Sequence, residues 1–328
     1  PLLAFILRNF IDADLVYAGV LNATLPLWFL AVYLTLVALA PLTLAWWSRW
    51  GLWTVAVFVS CSIAVDIAYR VLDVPGIGWL NLLFVWGTVH QLGYWWAARE
   101  DAEALPSAGR ALTMSIAALA GLVLVTSAGW YPVAMLTIPG GGPQNITPPT
   151  SAVTLLALSQ IGIILATMPW ISRWVSARRA WRFIVAVSGF MMTIYVWHLT
   201  SLSLTIAVGI FALDGRAFSL EPGTAVWWLT RPVFYVVLIG VTLVFVALFG
   251  RFEHDIDTSA HDRPMPLVLV GMTGTIVALA ATAFVYLVDR EANITWWIPV
   301  VAIVSAAMIG AYPASWNRRR LTASKPTI

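Results

Sequence analysis

Apolar residues run along this chain in blocks of roughly twenty, separated by short stretches that hold most of the charge. The blocks fall at 25–45, 51–69, 79–97, 111–130, 152–170, 183–205, 227–249, 266–288 and 296–313. A helix of about 20 residues spans the hydrocarbon layer of a bilayer, whereas a barrel strand needs only about ten and alternates in polarity. Inside lipid the helix also satisfies its own backbone hydrogen bonds. The pattern therefore predicts an all-α, polytopic integral-membrane helical bundle with about nine transmembrane helices, one membrane domain over 1–328. The opening "PLLAFILRNF" reads as the tail of an earlier span.

Composition agrees with the blocks. The chain has 328 residues, 61% hydrophobic and only 10% charged, where a soluble domain carries about 25% charged residues. Mean hydropathy is +0.87. The net charge is +3, but the arginines sit in loops beside apolar blocks. That arrangement favours lipid headgroups and topology signalling over nucleic acid. The loop 172–182 holds Arg173, Arg178, Arg179 and Arg182, and the tail holds Arg318, Arg319, Arg320 and Lys325. Four predicted spans separate them, so both lie on one side, which the positive-inside rule makes cytoplasmic. Residues 1–24, 70–78, 131–150, 206–226 and 289–295 then face outward. Tryptophans near block edges, among them Trp46, Trp47, Trp50, Trp95, Trp96, Trp130, Trp170, Trp227 and Trp228, suit the headgroup region. The expected location is a membrane, crossed many times, with a cytoplasmic C-terminal tail. The single cysteine, Cys61, excludes an intrachain disulfide and a cysteine metal site. No secretory signal opens the chain, and the missing initiator methionine suggests sequence upstream of residue 1.

Ionisable groups within spans are costly and are functional candidates by default. His198 lies in 183–205 with Ser188, Tyr195, Ser201 and Thr205 near its helical face. Such a stripe predicts a face lining a cavity, where an imidazole takes a proton from a hydroxyl or bonds a neighbouring helix. His90, in "FVWGTVHQLGYWW", has Gln91 beside it and Trp86 and Tyr94 on its own face; packing is the preferred reading, a share in a cofactor cavity the other. Asp66 and Arg70 have the spacing of an i,i+4 ion pair. Arg231, at an outer helix end, either snorkels to headgroups or binds an anionic substrate group. The uncharged loop "GWYPVAMLTIPGGGPQNITPPT" (129–150) is predicted either to fold back over the bundle or to serve as a plain connector. The sequons at Asn22, Asn145 and Asn293 fall in predicted outer loops. No GxxxxGK[ST] loop, HExxH pair or CxxC pair occurs, which gives no support to a nucleotide-driven pump or a zinc protease.

Five segments occur in a characteristic order: "LPLWFLAVYLTLVALAPL" (25–42), "LNLLFVWGTVHQLGYWW" (80–96), "YPVAMLTIPG…NITPPT" (131–150), "MTIYVWHLTSL" (192–202) and "WWLTRPVF" (227–234). In this the chain resembles the membrane-bound acyltransferase family 3, above all its actinobacterial branch, over roughly 20–253. The resemblance implies an enzyme of a bacterial plasma membrane that moves an acyl group, commonly acetyl, from cytoplasmic acyl-CoA to a hydroxyl of a sugar, glycolipid, polysaccharide or other exported acceptor. It implies no bound cofactor or metal; the partners are membrane lipids, acyl-CoA and a hydroxyl-bearing acceptor, with no nucleic acid. It draws attention to His198 in "YVWH", Trp28 and Phe29 in "LWFL", and Asn145. The arginine–histidine pair of the family's first span has no counterpart here, and the first two or three helices would precede residue 1. The helix pair and basic tail of 254–328 lie beyond the family's usual core. The site residues expected on these grounds are His198 for catalysis, with Tyr195, Ser201, Asn145, His90, Arg231 and Trp28 around the donor or acceptor. A transporter or flippase for a lipid-linked or small polar substrate is the alternative, though the paired Gly/Pro-broken spans that mark many transporters are missing. An inactive fragment is a third.

Overall fold

The computed structural model describes residues 13–100, 105–136, 142–212, 220–221, 223–254, 264–288 and 297–309. They are helical apart from short connections, with no strand among the described residues. In chain order the helices are α1 (Ala13–Thr24), α2 (Leu27–Trp50), α3 (Leu52–Arg70), α4 (Asn81–Glu100), α5 (Ala108–Ser127), α6 (Ser151–Val175), α7 (Arg178–Ser188), α8 (Met191–Ala212), α9 (Ala225–Phe249), the short α10 (Arg251–His254), α11 (Met265–Val288) and α12 (Trp297–Ile309). Among the described residues, seven helical stretches are long and apolar enough to cross a membrane: Gly19–Trp50, Leu52–Arg70, Ala108–Ser127, Ser151–Val175, Met191–Ile210, Ala225–Phe249 and Met265–Phe284. The chain is thus an all-α bundle of membrane-spanning character. The block predicted at 79–97 is a full helix, α4, with Asn81, Thr88 and Gln91 fully buried. The block predicted at 296–313 is described as α12, of 13 residues. The basic tail and Asn293 lie outside the described residues.

The chain divides into two compact units, Val32–Trp181 on one hand and 1–31 with 182–328 on the other. In the first, α5 and α6 form the closest pair, and α3 packs on α4 and on α6. The α5–α6 seam is built from small residues, the usual way for helix backbones to approach in a membrane. A Cβ on Gly162 would lie 2.7 Å from the Ala111 carbonyl oxygen, and the hydroxyls of Ser115 and Ser159 meet at 3.2 Å.

In the second unit, α8 packs on α9 and on α1, and α11 packs on α12 and on α1. The helix pair of the C-terminal region is therefore joined to the opening helix. Trp197 stacks on Phe245 and Phe249, each ring 4.5 Å away. The structure corrects one predicted span. The block 183–205 is not one helix: it breaks at Gly189 and Phe190 into the amphipathic α7 and the apolar α8. Two contacts fix the break. Phe190 lies against Gly250 so closely that a Cβ there would come within 2.6 Å of the ring. The Glu253 carboxylate accepts from the backbone N–H groups of Met192 (2.9 Å) and Thr193 (3.0 Å) and from the Thr193 hydroxyl (2.7 Å). A carboxylate on the orphan N–H groups of a first turn favours starting a helix there.

Candidate functional site

Two polar centres stand out, one in each unit. The first surrounds Asp66 of α3, which is 4% exposed. Its carboxylate accepts from the Asn81 side-chain amide at 2.8 Å, the Tyr131 hydroxyl at 2.8 Å and the backbone N–H of Ser151 at 2.8 Å. Ser151 opens α6, so Asp66 caps that helix from across the unit. The predicted Asp66–Arg70 ion pair is not formed. Arg70 instead places its guanidinium 5.0 Å from the centre of the Tyr131 ring. Three nearer donors, delivered by other elements, outcompete a neighbour one turn away. Burial, with the Asp66 carboxylate beside it, pushes the Tyr131 hydroxyl well above its ordinary 10.0, against a hydrogen bond with the Ser151 side chain and the charge of Arg70.

The loop after α5 returns to this centre. Asn145 is fully buried. Its side-chain amide donates to the carbonyls of Pro132 (2.6 Å) and Ala134 (3.1 Å), and its Oδ1 accepts from the Thr150 hydroxyl (2.7 Å). Asn145 is therefore spent on holding the loop, and is neither an exposed sequon nor a cavity-lining group. The Asn22 sequon is corrected likewise, since Asn22 lies in α1 and donates to the Ser203 hydroxyl at 3.2 Å.

In the same unit, His90 is half-buried with its ring edge-on to Tyr94 at 4.8 Å. Its neighbour Gln91, fully buried, accepts from the Thr54 hydroxyl at 3.1 Å and so joins α4 to α3. Gln91 also donates to the Thr43 carbonyl at 3.4 Å. Sequence reading centred on His90, but the polar residue that bridges helices is Gln91.

The second centre lies on α8. The Tyr195 hydroxyl donates to the Pro26 carbonyl at 2.7 Å, and its ring lies 5.4 Å from Phe29. Trp28 meets Phe29 edge to face at 5.9 Å. The "LPLWFL" and "YVWH" segments, far apart in sequence, are thereby brought together. The predicted single polar face does not hold. Ser188 belongs to α7 and lies beyond the helix break. Ser201 is fully buried and its hydroxyl has no hydrogen-bond partner among the described residues. Thr205 is 5% exposed and donates back to the Ser201 carbonyl at 2.8 Å. His198, expected to face the bundle interior, is exposed. The reason is the number of faces α8 must present: Tyr195 and Ser203 serve the α1–α2 corner, Trp197 serves α9, and His198 falls on what remains.

The His198 ring is nonetheless held. Nδ1 pairs with the Tyr195 carbonyl one turn back, and the two rings lie 5.6 Å apart. A carbonyl only accepts, so Nδ1 carries the proton in the neutral ring and Nε2 keeps its lone pair. Nε2 has no partner among the described residues. Arg231 curls onto its own helix, with Nε donating to the Trp227 carbonyl at 3.2 Å and the guanidinium 4.5 Å from the Trp227 ring centre. Among the described residues no group of three His, Cys, Asp or Glu side chains could hold a metal ion. No family model, curated protein or solved structure matches the chain.

Proposed function

We propose that this protein is an integral-membrane O-acyltransferase that passes an acyl group from acyl-CoA to the hydroxyl of an exported acceptor. The observation that carries this reading is the joining of Pro26–Phe29 to Tyr195–His198, two of the segments on which the resemblance rests, around an imidazole with one nitrogen committed and the other open. A histidine held through Nδ1, with Nε2 open, suits general-base work. In the proposed reaction the acceptor hydroxyl gives its proton to a base as its oxygen attacks the thioester carbonyl carbon. The C–S bond then breaks, the new ester forms, and the CoA thiolate takes up the proton. In this reading His198 accepts that proton, or holds the hydroxyl for another base. Tyr195 is a positioning residue, since its carbonyl orients the imidazole and its hydroxyl ties α8 to the chain before α2.

The direct test uses membranes containing the full-length protein and acetyl-CoA labelled in the acetyl group. Label is expected in an alkali-labile ester of a lipid or polysaccharide fraction, absent from control membranes. If folded protein transfers no label to any hydroxyl-bearing fraction, the acyltransferase reading is lost.

A further inference from the structure

The helix α7 (Arg178–Ser188) does something neither centre explains. At about 100° of turn per residue, Arg178, Arg182 and Arg179 share one arc of about 100°. Val187, Ala180 and Ile184 occupy the opposite side, and Phe183 and Trp181 border it, about 40° from Arg179 and about 60° from Arg178 respectively. None of its residues is buried; Trp181 is 55% and Phe183 65% exposed. The three arginines are exposed, and among the described residues they make no hydrogen bond or ion pair. Beside them an open recess of ≈ 570 Å³ is lined by Ser172, Val175, Ser176, Arg178 and Trp181.

A helix with an apolar and a cationic side, its apolar side only partly covered and its arginines exposed among the described residues, needs a partner that is itself two-layered. The chain's course supplies the setting. The helix follows α6 and precedes α8, both long and apolar enough to span a membrane. Its residues therefore begin where the chain leaves hydrocarbon and end where it returns. There, an amphipathic helix lies in the plane of the interface, its apolar side at the acyl boundary and its charges among the headgroups. Arginine forks match phosphate oxygens two at a time. A soluble phosphate compound would answer the guanidinium groups but leave Trp181 and Phe183 in water, so the apolar face selects a lipid.

We propose that α7 is an in-plane helix that binds anionic phospholipid, with Arg178, Arg179 and Arg182 on the headgroup phosphates and Phe183 and Trp181 in the acyl boundary. This surface is independent of the acyltransferase reading. The experiment places the whole protein in phosphatidylcholine vesicles and in vesicles with three parts in ten phosphatidylglycerol. Spin-labelled phosphatidylglycerol should be held at the protein several-fold in preference to spin-labelled phosphatidylcholine. Arg178→Gln, Arg179→Gln and Arg182→Gln together should lower that preference, by up to about fivefold per arginine at low salt. A spin label on Phe183→Cys, in a Cys61→Ser background, should be reached by oxygen and shielded from a water-soluble nickel complex; one on Arg178→Cys, about 140° round the helix, should show the reverse. An unchanged lipid preference in the triple variant overturns the proposal, as does a water-exposed label at 183. Dipolar broadening between labels at 183 overturns it in favour of a second copy of the chain. Arginine-dependent binding of inorganic pyrophosphate without any lipid preference overturns it in favour of a soluble phosphate ligand. Because the three arginines bond nothing among the described residues, the triple variant should melt like the parent, which separates lost lipid binding from lost fold.

Discussion

Asp66 and His198 are both ionisable residues on helices expected to cross a membrane, yet the structure treats them in opposite ways. Asp66 is buried and meets three donors, from α4, from the returning loop and from the first turn of α6. Nothing of its chemistry is left over. His198 is exposed, uses one nitrogen on its own helix and leaves the other open. The cost of placing a polar group in a bundle is similar in kind for both. Whether the group is saturated separates a structural polar residue from one available to a substrate.

The largest expected effect comes from removing the saturated group. Asp66→Ala takes the acceptor from the half-buried Tyr131 hydroxyl and Ser151 N–H and leaves the buried Asn81 amide only the Ser62 carbonyl, where a fully buried donor left unpaired costs about 1–3 kcal/mol. The variant should melt far below the parent in detergent and should open the 129–150 loop to protease. Parent-like melting would remove the structural role assigned to Asp66. His198→Ala should behave oppositely: melting within a degree or two of the parent, but acyl transfer down by about 10²–10⁴, the usual contribution of a positioned acid or base. Equal turnover at matched membrane abundance would leave His198 without a catalytic role.

The smallest effect sharpens the contrast through pH. The Tyr131 hydroxyl is held protonated above its ordinary 10.0, first by burial and then by the neighbouring carboxylate. A group raised in the folded state lends its stability fully below the unfolded pKa and loses it as pH rises past that value. Melting temperature should therefore be flat with respect to this group up to about pH 10 and fall beyond it. Tyr131→Phe should lower stability by about 1 kcal/mol near neutral pH, one hydrogen bond's worth, and weaken the alkaline fall. An alkaline limb identical in the two proteins would show that Tyr131 does not cause it.

Helical blocks were legible in the sequence because each is a local property of about twenty residues. Partnerships were not. The spacing of Asp66 and Arg70 invites an ion pair, and only the fold shows that donors from residues 81, 131 and 151 arrive first. The break at Gly189 was hidden for the same reason, since the carboxylate that starts α8 belongs to Glu253, 61 residues from Met192. Within the candidate site, the histidine and its tyrosine could be picked out by residue type. The division of their helix into an α1–α2 side, an α9 side and an open side could not, because 3.6-residue periodicity says nothing of where neighbours stand. Gln91 and Asn145 show a further limit: an amide in an apolar block signals a buried polar contact but not which backbone it will hold.

The carboxylate of Asp66 also imposes an order on assembly. It is synthesised 85 residues before Ser151, so α3 must be threaded while two of its three eventual hydrogen-bond donors have yet to leave the ribosome. A nascent chain halted before α6 carries that anion only partly answered, next to lipid. The carboxylate is answered in full only when the α6 terminus docks on it.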